Sequence, residues 1–378
     1  MKKTVFIAAL AIVAMASCTK NELKVPSNGT DAVISFQPVV ANATKATYLE
    51  TANMKTKCTE FGVFAWYPDG GTMQTTTTTG TKYMDNVTVT YNGSFNDTDD
   101  TGTGTWAPST TYYWPKNGKL SFDAYAPADA HAASTPGAGK GTFNSDIKKG
   151  LQIADYTVAE LANQYDLLYS TRATNKNTSV GETNATYDGV DIPFNHALAA
   201  IEVKAKTAAD YGTDAIKLNK ITIQNAFNKG TFDQGMTNAM TIGTPKWSNQ
   251  DNEVEYVLYD AGSTLSDGAS LSQTPLESPT ISNAILLPQD FDHTTTGKIV
   301  SIKVDYSIKG TNDYLAQTQT FKLNTTTGSE AGGSYNPLSA WEIGKKYTYT
   351  LVFTLEDIHF APSVADWTEV TVKDIDVK

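Results

Sequence analysis

Alternation of apolar and polar residues recurs along most of this chain and predicts β-strands with little helix. The clearest examples are residues 87–91, 201–206, 302–308 and 347–355, where every second side chain is apolar. This period of two is typical of a strand with one buried face. A continuous apolar run over residues 60–66 predicts a strand that is buried on both faces. Turn-rich spacers separate these segments, so we predict an all-β chain of two tandem antiparallel β-sandwich domains.

Composition shifts divide the pattern into two parts. Residues 170–190 are polar and predict a linker, which gives an N-terminal domain over residues 46–189 and a C-terminal domain over residues 190–378. Residues 126–150 are rich in alanine, glycine, proline and serine, and they predict a loop. A length of 378 residues agrees with two domains.

The two ends of the chain each carry an isolated strand-like segment. Ala32–Val40 is apolar and β-branched, but Pro38 favours an edge strand or a strand end over a central strand. The C-terminal segment 368–378 alternates in the same way, with a change of phase after Asp374, and has no evident partner nearby in sequence. Its apolar residues are Val370, Val372, Ile375 and Val377.

The first residues have the layout of a secretory signal. Lys2 and Lys3 precede an apolar run that ends at Ala16, and Cys18 follows two small residues. The run is too short to span a bilayer, which needs about 20 apolar residues. We therefore expect a signal peptide over residues 1–17 and lipid attachment at Cys18, so that residues 18–45 form a lipidated propeptide. The alternative is a plain signal peptide in which Cys18 is incidental.

Charge and residue usage exclude several classes of partner. The formal net charge is −11, which opposes binding to nucleic acid. The basic residues include a single arginine, Arg172, so bidentate recognition of anions is poorly served. Cys58 has no disulfide partner if Cys18 carries lipid, and we expect it to be buried.

No pattern of catalytic or metal-binding residues stands out, and we predict neither an enzyme nor a cofactor. The four histidines are scattered without metal-ligand spacing, and His196, in an apolar context, is predicted to be a packed structural residue. Three acidic residues in 97–100 suit a solvated turn better than a calcium loop. A glycan-binding surface protein is the first alternative function, and it requires three tryptophans to be exposed together, namely Trp66, Trp106 and Trp114. A secreted hydrolase is a distant third.

Several short motifs, taken in their order along the chain, resemble one known family. They are the lipobox-like Met15-Ala16-Ser17-Cys18, Thr44-Lys45-Ala46, Phe61–Trp66, Tyr112-Tyr113-Trp114-Pro115, Leu120–Pro127, Asp166–Tyr169, Phe194–Ala199, Leu286–Gln289, and Trp341–Lys345 followed by Trp367. Together they are similar to the fimbrillin family of Bacteroidales, including its Mfa-like group. The matching residues extend over nearly the whole chain.

This resemblance implies two transthyretin-like sandwich domains and assembly into type V pili on the cell surface. Family members travel as lipoproteins to the outer membrane, and a trypsin-like protease then removes the lipidated segment together with the first strand. A strand from a neighbouring subunit, generally its C-terminal tail, fills the groove that remains. The implied partners are therefore other pilin subunits, of the same or another kind, the outer membrane through the lipid, and the processing protease.

The same resemblance gives a role to both ends of this chain. Cleavage is expected between Lys45 and Ala46, although much of the family has arginine at the processing position, so the protease must accept lysine. The tail 368–378 is the expected donor strand, with Val370, Val372, Ile375 and Val377 as its apolar contacts. An uncleaved anchor subunit is the alternative within the family.

Overall fold

The computed structural model describes residues 33–40, 54, 58–69, 75, 79–93, 95–96, 101–102, 104–115, 118–128, 140–177, 189–324 and 338–366. The predicted lipid-attachment residue, the predicted cleavage site and the predicted donor strand lie outside these residues. They comprise Cys18, Lys45, Ala46, Val370, Val372, Ile375 and Val377.

Strands dominate the described residues, and the all-β prediction is confirmed. In chain order they are β1 (Phe36–Val40), β2 (Glu60–Pro68), β3 (Gly80–Tyr91), β4 (Phe95–Asn96), β5 (Thr101–Gly102), β6 (Trp106–Pro108), β7 (Leu120–Ala126), β8 (Lys140–Asp146), β9 (Gly150–Thr157), β10 (Leu168–Ser170), β11 (Ala173–Lys176), β12 (Val190–His196), β13 (Ala199–Thr207), β14 (Ile216–Asp233) and β15 (Lys246–Asp260). They continue with β16 (Ala269–Ser270), β17 (Ala284–Leu286), β18 (Gln289–Asp290), β19 (Asp292–His293), β20 (Lys298–Ile299), β21 (Ser301–Lys309), β22 (Tyr314–Lys322), β23 (Ala340–Trp341), β24 (Lys345–Phe353) and β25 (Ile358–Asp366). Single 3-10 turns lie at Leu161–Asn163 and Leu265–Asp267. Within the described part of the chain we find no helix with the length and hydropathy needed to cross a membrane.

The first sheet closes on itself. Its eight strands follow the order β10, β12, β1, β6, β3, β2, β7 and β11, and β7 also pairs with β10. Seven strands therefore form a continuous ring of pairings. β11 is not one of these seven and pairs with β7. The ring encloses a core of large apolar side chains that includes Phe61, Phe122 and Phe194. Closure of this kind removes the free edges that an open sheet would expose.

β1 is one of the seven strands of this ring and has a paired strand on each side, so the prediction of an edge strand was wrong. All five of its residues pair in parallel with β12, and Phe36 pairs on the other side with Trp106 of β6. The amide of Val190 donates to the carbonyl of Ser35, 2.8 Å away. Since successive residues of a strand turn to opposite neighbours, this register points the nitrogen of Pro38 away from β12. The proline therefore removes no donor from the parallel ladder.

The second half of the chain forms a sandwich of two sheets, to which β8 and β9 of the first half are added. One sheet has four strands in the order β17, β13, β24 and β25, and the other has seven strands that include β22, β21, β14, β9 and β8. A large apolar cluster fills the space between them, with side chains such as Ile221 from one sheet and Tyr349 from the other. β25 lies at the edge of the four-stranded sheet and pairs with β24 along nine residues.

One long strand links the two halves. β14 has 18 residues, of which Ile216–Gln224 pair with β21 and Lys229–Asp233 pair with β9. β15 pairs with β14 from Lys220 to Asp233 and forms a hairpin with it. Residues of both halves, such as Tyr125 and Phe232, contribute to a shared apolar cluster at this junction.

The boundaries of several segments differ from the predicted ones. The predicted loop over residues 126–150 contains β8, which forms a hairpin with β9, and the predicted linker over residues 170–190 contains β11. β12 follows the predicted division at residue 190, yet it belongs to the first sheet. The division of the chain into two domains remains a prediction. Strand segments with glycine, threonine and asparagine carry too little apolar pattern to be recognised from sequence.

Candidate functional site

β1 and its surroundings form the candidate site. The side chains of Ile34, Phe36 and Val40 point into the ring and are buried, whereas Val39 is 47% exposed. This alternation follows from the pleat of the strand. The inner face of this short segment is therefore part of the core.

Phe36 is the central side chain of the site. Its ring packs edge to face against Phe61, at 6.0 Å between ring centroids, and against Phe122, at 5.6 Å. The ring of Phe61 in turn contacts Phe194 at 5.5 Å and Trp106 at 5.2 Å. Contacts of this geometry are worth about 0.5–1.5 kcal/mol each beyond the area that they bury. Phe36 therefore completes a cluster of aromatic rings within the first core.

Backbone contacts position β1 at both of its sides. On the β6 side, the amide of Ile34 donates to the carbonyl of Tyr112 at 2.9 Å, and Val33 forms a bridge with Tyr113. On the β12 side, Gly189 has a φ of +120°, and a Cβ at this position would lie 3.1 Å from the carbonyl carbon of Phe36. Glycine thus permits the chain to enter β12 close beside β1.

The tryptophans do not form the platform that a glycan-binding protein requires. Trp66, Trp106 and Trp114 are all buried in the core, with exposed fractions of 7%, 4% and 5%. The indole nitrogen of Trp66 donates to the hydroxyl of Ser145 at 2.9 Å, inside the protein. The condition that the glycan-binding alternative required is therefore not met.

Two histidines, His196 and His293, are buried and packed within the protein. His196 is buried, and its Nδ1 lies 2.7 Å from a carboxylate oxygen of Asp166, so two of the family motifs meet here. His293 lies with its Nδ1 2.9 Å from Glu253 and its ring stacked on Phe227 at 3.7 Å. Among the described residues no three histidine, cysteine or carboxylate side chains come together as metal ligands would. Cys58 is buried, as expected.

Sequence reasoning missed a buried ion pair that involves the single arginine. Arg172 Nε donates to Asp123 Oδ1 at 2.9 Å, and neither side chain is accessible to solvent. Its guanidinium also donates to the backbone carbonyls of Asp146, Ile147 and Ala239. Arg172 therefore joins β7, the β8–β9 turn and the end of the β14–β15 hairpin. The only indication of this role in the sequence was that Arg172 is the single arginine in a chain with many lysines.

Comparisons with known proteins agree with this architecture. The family model described as fimbrillin-like matches residues 44–367. The chain is 23% identical to the fimbrium subunit Fim1C of Phocaeicola vulgatus, over 98% of this chain and 97% of that protein. The crystal structure of a fimbrial protein from Bacteroides vulgatus has the same fold, with a TM-score of 0.52 and 17% identity over 89% of this chain and 100% of that one. The chain therefore belongs to the fimbrillin-like family, which comprises structural fimbrial subunits and not enzymes.

Proposed function

We propose that this chain is a structural subunit of a type V-like fimbrium on the cell surface, and that it polymerises with other pilin subunits by strand exchange. The place of β1 carries the proposal. This short strand from the N-terminal part of the chain completes a closed ring of seven strands and fills the core of that ring. If it leaves, the ring opens, and a strand from a neighbour can close it again.

An empty β1 site would destabilise the folded chain in two ways. β12 and β6 would each become an edge with unpaired backbone groups, and the rings of Phe61 and Phe122 would lose their contact with Phe36. Open edges of this kind favour pairing with another chain. While β1 occupies the site, this route to association is closed. The occupied site therefore supports a precursor that stays monomeric until it is processed.

The N-terminal segment supplies the means of processing. Cys18 carries the lipid that brings the precursor to the outer membrane, and a protease cuts between Lys45 and Ala46, shortly after β1 ends. The released piece, residues 18–45, carries both the lipid and β1. The donor is the tail 368–378, which follows the edge strand β25. Its contacts with the groove are made by Val370, Val372, Ile375 and Val377.

The burial of Arg172 supports cleavage at lysine. The guanidinium is enclosed by its hydrogen bonds to Asp123 and to backbone carbonyls, so a protease cannot reach it in the folded chain. Because no other arginine exists in the sequence, an enzyme that cuts strictly after arginine has no accessible target. Processing must then use a lysine, and Lys45 lies next to the segment to be removed.

The first experiment compares Lys45→Ala with Lys148→Ala in cells that assemble the fimbrium. Lys148 is exposed in the turn between β8 and β9, so it is a matched control for the loss of a surface lysine. We expect the Lys45 variant to remain lipidated and monomeric, and the control to form high-mass ladders on electrophoresis of undenatured surface protein. Ladders from the Lys45 variant would reject cleavage at this position.

A second experiment tests the donor strand. Serine in place of the four apolar tail residues should abolish the ladders, whereas serine in place of Thr371 and Lys373 should leave them. Mass spectrometry of the assembled material should find chains that begin at Ala46. Chains that retain Cys18 would instead identify an uncleaved anchor subunit.

A further inference from the structure

The position of Phe36 makes a specific demand on any strand that replaces β1. Its ring is among the largest fully buried side chains and lies edge to face between Phe61 and Phe122, at interplanar angles of 84° and 85°. Trp114 packs against Phe122 at 5.9 Å, and Trp106 packs against Phe61 at 5.2 Å. The walls of this pocket are themselves bulky aromatic rings from separate strands. The pocket is therefore shaped for a flat ring.

The proposed donor segment of this chain offers no such ring. Residues 368–378 contain no aromatic residue, and the largest apolar side chain among them is Ile375. This holds for either direction and any register of the tail in the groove. Trp367 lies just before the tail, but in a strand it would share a face with Glu369 and Thr371, so its use would turn polar side chains toward the core. A cavity would remain wherever valine or isoleucine replaced the ring.

We propose that the Phe36 pocket selects a donor strand with an aromatic side chain at this position, and therefore a different subunit instead of a second copy of this chain. This inference rests on the proposed strand exchange. The donor that fits has apolar side chains at alternate positions, as this segment does at Ile34, Phe36, Pro38 and Val40, with the ring at the second of them. The chain thus belongs in a mixed polymer, in which its groove accepts one kind of subunit and its tail enters another.

The experiment uses the full chain with residues 42–47 replaced by the recognition sequence of a site-specific protease. After the cut, a labelled peptide of residues 32–41 reports whether β1 exchanges from its site. Unlabelled competitors are the tail peptide 368–378 and four variants of it, each with phenylalanine at one of Val370, Val372, Ile375 or Val377. A scrambled peptide of the same composition as the best variant is the control for unspecific binding.

At least one phenylalanine variant is expected to compete at least tenfold better than the natural tail, while the scrambled control does not compete. If the natural tail competes as well as every variant, the pocket does not select a ring and the inference is overturned, although strand exchange stands. If the labelled peptide of residues 32–41 itself fails to exchange after the cut, the groove does not reopen, and both the inference and the proposed function fall.

Discussion

At the residue scale, two side chains of β1 provide a matched test of the core contact. Phe36→Ala removes a ring from the aromatic cluster, and deletions of this kind cost about 3–5 kcal/mol of stability. Val39→Ala shortens a half-exposed side chain of the same strand, and we expect a change within about 0.5 kcal/mol. Urea denaturation of the uncleaved chain measures both. Equal effects would show that β1 is not held by its buried face.

The ion pair between Arg172 and Asp123 predicts a change in protease sensitivity. Asp123→Ala leaves the guanidinium buried without its carboxylate, which costs about 3–5 kcal/mol. We expect the parent chain to resist an arginine-specific protease and the variant to be cut after Arg172. Limited proteolysis followed by mass spectrometry measures the cleavage. Rapid cleavage of the folded parent at Arg172 would contradict the burial described above.

The carboxylate of Glu253, in the second half of the chain, makes the free energy of unfolding depend on pH in the acid range. Burial, the largest single influence, raises the pKa of Glu253, but hydrogen bonds from Lys298, Thr296 and His293 outweigh it and lower the pKa to about 2. A lowered pKa stabilises the folded chain above the ordinary value of 4.5, and this contribution is lost as the pH falls toward 2.

Glu253→Gln should therefore flatten the fall in stability between pH 4.5 and 2, measured as the urea midpoint at each pH. Glu356→Gln, at an exposed turn residue, is the control and should keep the slope of the parent. An unchanged slope in the Glu253 variant would contradict the assignment.

At the scale of elements, the pairing of β2 with β7 depends on a glycine. A Cβ at Gly62 would lie 2.3 Å from the ring of Tyr125, which is stacked on Phe143 at 3.9 Å and donates its hydroxyl to Asn86 at 2.7 Å. Gly62→Ala must displace this anchored ring and should lower the melting temperature by several degrees. At Gly230 the nearest atom would lie at 3.3 Å, so Gly230→Ala is the milder comparison. Equal melting temperatures for the two variants would contradict this account.

The elements that the sequence predicted well are those with a strong local pattern. The alternation over residues 302–308 lies within β21, and the apolar run over residues 60–66 lies within β2. The alternation over residues 347–355 was extended too far, because β24 ends at Phe353 and Leu355 lies exposed in the following turn.

Pairing partners distant in sequence escaped prediction. Nothing near Phe36 indicates that it pairs with Val190, and nothing near Arg172 indicates Asp123. The edge assignment of β1 failed for the same reason, since Pro38 excludes hydrogen bonds on one side only. The aromatic pocket likewise could not be predicted from the sequence, because its walls come from separate strands. The family motifs include Phe61, Phe122 and Trp114, but the contacts of these rings required the structure.

At the scale of the whole molecule, the shared strand β14 and the junction cluster predict a single unfolding transition. Phe232 packs at this junction against Tyr169 at 4.9 Å and Trp247 at 5.4 Å, so loss of one half removes core contacts of the other. Calorimetry of the full chain should give one peak with equal calorimetric and van't Hoff enthalpies. Phe232→Ala should lower its temperature without splitting it. Two separate transitions in the parent chain would contradict this coupling.

The parallel pairing of β1 with β12 has a consequence for the time at which the ring is completed. Val190 is made about 150 residues after Phe36, so at about 5–20 residues per second the site of β1 is incomplete for roughly 10–30 s of synthesis. β1 then occupies its site because its covalent link to the rest of the chain keeps it at an effective concentration of about millimolar. Under the proposed processing, a cut after Lys45 would end that advantage and leave the aromatic contacts of Phe36 in place. The strand that is locally most abundant and fits best would then occupy the site.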